Sequence, residues 1–216
     1  MSAITIHSNS ANRIAALLLK INAIKLNISK PFTWASGWKS PIYCDNRLSL
    51  SYPAIRADIK QDLAEAIKSY FPDAEVIAGV ATAGIPQGAL VADALNLPFA
   101  YVRPKPKDHG LENLIEGRIE SAQKVVVIED LISTGGSSLK AVQALRDRGA
   151  NVLGMVAIFT YGFDVSEKNF KKDNVRLVCL SDYQHLLDIA VKEHYISEQN
   201  LISLKAWRTD PASWNG

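Results

Sequence analysis

Cysteine is scarce in this 216-residue chain. Only Cys44 and Cys179 occur, with neither a metal-ligand spacing nor the makings of a disulfide framework. Long apolar runs are missing too. No stretch approaches the ~18 residues that would suggest a membrane span, and the amino terminus lacks the basic, apolar, small-residue order of a secretory signal. Charge of one sign is also lacking: 24 Lys and Arg against 22 Asp and Glu leave a net charge of +2. No basic stripe of the kind that tracks nucleic acid is present. Repeats and low-complexity tracts are absent. These absences lead to the expectation of a soluble, cytoplasmic protein with two reduced thiols and neither nucleic acid nor membrane as a partner.

What is present is the composition of a globular protein, 48% hydrophobic, enough for a sizeable core. A first helix is expected from about Ser10 or Asn12, carrying Ile14, Leu17, Leu18 and Ile21. Ile55, Ile59, Leu63 and Ile67 recur every four residues and predict a second helix with one buried face. From about residue 72 the pattern alternates. Strands are expected at 75–80, 99–103, 125–128, 151–159 and 175–180. Helices are expected at 85–95 and 138–148, the latter stopping at Gly149. Two more helical stretches, 182–194 and 197–207, end the chain. Strands apolar throughout, separated by amphipathic helices, predict an α/β fold with a parallel sheet covered on both faces. Residues 1–71 do not follow this alternation and are expected to form a separate layer on a core of residues 72–216.

One segment carries chemistry. Val125–Ile128 is a β-branched run, Glu129-Asp130 an acidic pair, and Ser133-Thr134-Gly135-Gly136-Ser137 a hydroxyl-rich turn leading into a helix. Such a turn presents backbone N–H groups at a helix amino end, where partial positive charge favours a phosphate, and its glycines allow close or left-handed backbone. It is neither a Walker loop, which needs Gly-Lys-Ser/Thr, nor a Gly-x-Gly-x-x-Gly dinucleotide turn. Two carboxylates would repel a phosphate held directly against them. They fit if they face hydroxyls or a divalent cation instead, and a ribose 5-phosphate supplies that arrangement. A plain structural strand-to-helix turn also remains open for the glycines alone.

A second segment, Arg103-Pro104-Lys105-Pro106-Lys107-Asp108-His109-Gly110, follows a strand. Its prolines exclude regular structure. Its basic side chains suit a loop closing over a polyanion, neutralising a leaving pyrophosphate and excluding water, although a solvated charged loop would show the same residues.

The acidic pair and glycine turn at Glu129–Ser137 resemble the phosphoribosyl pyrophosphate (PRPP) signature of type I phosphoribosyltransferases. The chain as a whole resembles the orotate phosphoribosyltransferase family. The matching features are Phe32-Thr33, Ser36-Gly37 and Ser40-Pro41-Ile42-Tyr43, the turn Gly79–Pro86, the basic loop, and the PRPP motif. The resemblance implies transfer of phosphoribosyl from PRPP to orotate, with Mg²⁺ held mainly by PRPP rather than by direct protein ligands. It implies that Arg103, Lys107 and His109 meet the pyrophosphate, with Lys107 and His109 as the catalytic pair. Glu129 and Asp130 would meet the ribose hydroxyls, and Leu131, Ile132, Ser133, Thr134, Gly135, Gly136 and Ser137 the 5-phosphate. Ser133 stands where the family commonly has a threonine near orotate, and backbone amides around Tyr43 and Cys44, with Ser133, are expected to take the place of the arginine that this chain lacks. A homodimer with shared active sites is implied as well. The chain departs from the family at Trp34-Ala35, Pro104 and Thr82-Ala83. It also has Thr160-Tyr161-Gly162 where many members carry an Asp-Arg pair whose arginine holds the orotate carboxylate. A phosphoribosyltransferase for a purine or uracil, a PRPP-sensing regulator, and a generic α/β domain binding some other phosphate are the competing readings. His7, His185 and His194 are expected on the surface or at caps, and Trp207 in helix packing.

Overall fold

A computed structural model describes residues 2–34, 37–105 and 114–214. Lys107, Asp108, His109 and Gly110, like Ala35 and Ser36, lie outside the described residues.

The chain opens with β1 (Ile4–Ile6) and α1 (Ala11–Lys20). Four short strands follow, β2 (Ile24–Leu26), β3 (Phe32–Thr33), β4 (Lys39–Ser40) and β5 (Ile42–Cys44), then a 3₁₀ turn over Asn46–Ser51 and α2 (Pro53–Tyr70). Pro53 begins α2 where a missing N–H costs nothing, and Ile55, Ile59, Leu63 and Ile67 form its buried face. The alternating part comprises β6 (Val76–Val80), α3 (Gly84–Leu95), β7 (Phe99–Val102), β8 (Ile115–Glu116), β9 (Lys124–Ile132), α4 (Gly136–Asp147), β10 (Asn151–Thr160), α5 (Asp164–Lys172) and β11 (Leu177–Asp182). The last two helices are α6 (Tyr183–Lys192) and α7 (Asn200–Thr209).

Seven strands form the main sheet in the order β1-β11-β10-β9-β6-β7-β8. All of its pairings are parallel except that of β8 with β7. The expected parallel sheet flanked by helices is therefore present. One piece of the segment expected to form a separate layer, Ile4–Ile6, instead pairs with Leu177–Cys179 at the sheet's edge. The other early strands form two antiparallel pairs, β2 with β5 and β3 with β4.

Alternation along β9 divides the core. Val126 and Ile128 pack with α1, α2, α3, α6 and α7 through residues such as Leu18, Leu63, Val91, Leu187 and Trp207. Val125 and Val127 pack on the opposite face with Leu139, Val142 and Leu145 of α4 and Phe170 of α5. All four β9 residues are fully buried, each contributing roughly 1.5–3 kcal/mol of transfer free energy. This makes β9 a rigid support for whatever stands at its carboxyl end.

The end of α4 shows why its length was legible. Gly149, at φ +86°, donates its N–H to Arg146 O, while Ala150 donates to Leu145 O. These two bonds form a Schellman cap.

Candidate functional site

The site follows from a fork in the sheet. The β6–β9 pairing ends at Gly79↔Ile128, whereas β9 stays paired with β10 through Ile132↔Thr160. Beyond Ile128, β9 therefore has a neighbour on one side only. The chain from β6 returns through α3 to β7, and the chain from β9 through α4 to β10, on opposite faces. Strand order reverses at this point, and open α/β sheets bind ligands in the crevice such a reversal leaves. Glu129 and Asp130 are the first residues past the fork. Gly84, opening α3, allows the tight approach on the β6 side, since a Cβ there would stand 2.4 Å from Ile128 O.

The acidic pair is held from two directions. Ser138, in the first turn of α4, donates Oγ–H to Glu129 Oε2 at 3.0 Å, and the Asp130 N–H donates to Glu129 Oε1 at 3.0 Å. Asn46 reaches from the 3₁₀ turn to donate Nδ2–H to Asp130 O at 2.7 Å. Glu129 is only 6% exposed. Desolvation, reinforced by the charge of Asp130, pushes its carboxyl up to about 8. Desolvation also raises Asp130, which is the more open of the two. Burial thus holds both carboxyls toward their protonated forms.

The turn after β9 has the expected shape. Gly135 sits at φ +81° as the amino cap of α4, and a side chain there would strike the Phe170 ring at 2.6 Å. Asn169 of α5 donates Nδ2–H to Thr134 O at 2.9 Å, so α5 fastens the turn through adjacent residues. The first-turn amides of α4 have no partner inside the helix. No element over 164–172 was expected, and α5 is the support that sequence reasoning missed.

Beside this turn lies a cleft of about 570 Å³. Leu131, Ser133 and Thr134 line it from β9 and its turn, Tyr161 from the end of β10, and Thr33, Trp34, Trp38, Tyr43 and Cys44 from the early strands. The three residues expected at a base, Tyr43, Cys44 and Ser133, come together here. Trp34 and Tyr161 were not expected as walls, and their rings stand 5.2 Å apart. Burial pushes the Cys44 thiol and the Tyr161 phenol well up, so both are neutral at physiological pH. The described lining contains no Lys or Arg.

On the other side of the acids is Arg103, just past β7. Its N–H donates to Leu114 O at 2.7 Å. Its Nη1 lies 3.6 Å from Glu116 and, among the described residues, is buried without a hydrogen bond. Two strand spacings separate β7 from β9, about 10 Å. Lys105 is exposed. A larger cavity, about 690 Å³ between Ser2–Thr5 and Phe170–Arg176, lies at the amino ends of β1 and β11, the opposite end of the sheet. His7 corrects its expectation: it is 4% exposed and edge-on to Tyr70. His185 does sit at a cap, its Nδ1 2.7 Å from Asp182 Oδ1.

Comparison with known proteins gives a consistent result. Residues 50–193 match the phosphoribosyl transferase domain family. The chain is 59% identical over 206 residues to an orotate phosphoribosyltransferase of Bacteroides fragilis, covering 95% of this chain and 97% of that protein. Among solved structures, an orotate phosphoribosyltransferase from Aeropyrum pernix superposes with a TM-score of 0.74 at 28% identity, covering 85% of this chain and 99% of that one. UMP synthase of Leishmania donovani gives 0.76 at 26% identity, over 91% of this chain and 42% of that one.

Proposed function

This chain belongs to the orotate phosphoribosyltransferase family, and from that premise we propose that it transfers phosphoribosyl from PRPP to orotate, yielding orotidine 5'-monophosphate and pyrophosphate, a step of pyrimidine biosynthesis. The observation that carries the reading is the fork at Ile128, where an acidic pair, a phosphate-type turn and an aromatic cleft meet at the end of one buried strand.

The residues divide the substrate between them. The amides and hydroxyls of Ser133–Ser137 hold the 5-phosphate, as the amino end of α4 favours. Glu129 and Asp130 take the ribose hydroxyls. A carboxyl pair pushed toward its protonated form by burial is a fitting donor set for a diol or a hydrated divalent cation, so Asp130, the more open acid, would face Mg²⁺ carried in with PRPP. When bound, that cation supplies charge neutralisation at the pyrophosphate. Orotate lies in the cleft between Tyr43, Cys44 and Ser133 with its N1 toward the anomeric carbon. The carbon–nitrogen bond forms with inversion as the carbon–oxygen bond to pyrophosphate breaks, and the N1 proton passes to the departing pyrophosphate or to solvent. Arg103, with Lys107 and His109 of the loop after it, receives the departing charge, Lys107 and His109 acting at the reacting atoms. Electrostatic stabilisation of this kind needs no protein nucleophile. Two subunits would share each site in a homodimer. The two free thiols suit a cytoplasmic enzyme.

The test is PRPP- and Mg²⁺-dependent loss of orotate absorbance, with uracil and hypoxanthine in parallel. Loss with orotate alone is expected. Consumption of another base instead would reassign the acceptor, and consumption of none would favour a PRPP-sensing regulator.

A further inference from the structure

Helix α7 has no part in the reaction as described, yet two of its residues touch residues that wall the acceptor cleft. Trp207 is fully buried. Its ring meets Trp34 at 5.5 Å, Tyr161 at 5.7 Å and Phe163 at 5.4 Å between centroids. Trp34 and Tyr161 are two walls of the cleft. The next residue, Arg208, donates Nη2–H to Gly162 O at 2.7 Å and Nε–H to Tyr161 O at 3.3 Å. Its guanidinium is thus committed to the turn after β10 rather than to the carbonyls of α7.

The same turn is pinned from the other side. The Tyr161 N–H donates to Ile132 O at 3.1 Å. Thr160 donates Oγ1–H to Ile132 O at 3.3 Å and accepts from the Gly162 N–H at 3.0 Å. Ile132 ends β9, one residue before the phosphate turn begins. The backbone at Tyr161 is therefore clamped between the strand that carries the acids and the helix that carries Arg208. Its ring stacks on Phe163 and meets Trp34 at a tilt.

We infer that Arg208 is a positioning residue for the acceptor: by holding the Tyr161 and Gly162 carbonyls, it fixes the Tyr161 ring and, through the ring contact between them, the half-buried Trp34 ring that walls the cleft beside it. The inference rests on the functional reading above and adds a specificity role that this reading does not contain. With no cation in the described lining, acceptor binding depends on the shape of that wall and on neutral donors. A small rotation of the ring then reaches the base while the PRPP turn, held by α4 and α5, stays as it is.

The test compares Arg208→Ala and Arg208→Lys with the wild type, measuring KM for orotate, KM for PRPP, kcat and melting temperature. Arg208→Ala is expected to raise the orotate KM about tenfold, the equivalent of one charge-assisted hydrogen bond, with the PRPP KM within about twofold of wild type. Lysine keeps the charge and one bond and should restore the orotate KM to within about threefold. An orotate KM unchanged in both variants overturns the inference. So does a parallel rise in both KM values with a lowered melting temperature, which is what a merely structural arginine would give. Should Arg208→Ala fail to fold, Arg208→Met, which keeps the bulk of the side chain and loses its donors, takes its place, and an orotate KM within about twofold of wild type in that variant sinks the idea. A wild type that consumes no orotate overturns the functional reading first, and the inference with it.

Discussion

Glu129→Gln isolates the charge that the fold works against. The Glu129 carboxyl rises from 4.5 to about 8 because it is desolvated beside Asp130. Between those values the folded protein holds a proton that the unfolded chain has released. The native state binds more protons in this window, so stability is full below about pH 4.5 and is lost as pH climbs through about 8. At 1.36 kcal/mol per pKa unit the ceiling is about 5 kcal/mol. Because Asp130 shares the titration, about half of that, 2–3 kcal/mol, is the expected effect. For a chain of this length each kcal/mol moves the melting temperature by roughly 2–4 °C, so the penalty amounts to about 5–10 °C. Glutamine keeps an acceptor for Ser138 but carries no charge at any pH. Melting curves of the ligand-free wild type and Glu129→Gln at pH 5 and pH 8 should show the variant gaining about 5–10 °C relative to wild type over the interval. A difference constant to within about 2 °C would refute the assignment of a retained proton, and so would a change of opposite sign.

Two further outcomes are expected. Lys107→Ala should cut turnover by orders of magnitude with the melting temperature unchanged, and a loss below about threefold in steady-state kcat would remove Lys107 from the leaving-group role. Gly135→Ala should destabilise by about 2 kcal/mol or more, because it combines a left-handed φ with a Cβ 2.6 Å from Phe170. Gly136→Ala, whose Cβ would meet nothing nearer than Thr134 Oγ1 at 3.8 Å, should melt close to wild type. Equal melting temperatures for the two variants would contradict the geometry.

Legibility in the sequence tracked how local the cause is. The β9–turn–α4 unit was readable because a β-branched run, two acids and a Gly-Gly turn sit within fifteen consecutive residues and each requires the next. α2 was readable from its four-residue period. β1 was not, since three residues become a strand only by pairing with Leu177–Cys179 at the far end of the chain. α5 was hidden because it buries only Ser166 and Phe170, too narrow a stripe to register as a period, although Phe170 is what forces glycine at position 135. The cleft was half legible. Tyr43, Cys44 and Ser133 could be named, but the Trp34–Tyr161 pair joins residues on separate elements. Tyr161 showed in the sequence only as a departure from the family's arginine. The basic loop was readable as chemistry, yet Lys107 and His109 lie outside the described residues, so their placement rests on the sequence alone.

The order of strands accounts for the acids' unusual state. Along the carboxyl edge of the sheet come Tyr161 from β10, the acids from β9, the glycine turn after β6 and Arg103 after β7. Arg103 stands two strands away from β9, about 10 Å, and is not among the groups that shift Glu129. The cation that does act on Asp130 is Arg47, and its guanidinium is already paired with Asp45 at 2.7 Å. The ligand-free site therefore balances its carboxyls with a proton instead of a side chain. PRPP entering with Mg²⁺ would displace that proton, so binding near pH 7 should release protons to buffer in wild type and release fewer in Glu129→Gln. Calorimetric titration in buffers of different ionisation enthalpy measures the number directly. Equal release from both proteins would mean that the proton sits elsewhere.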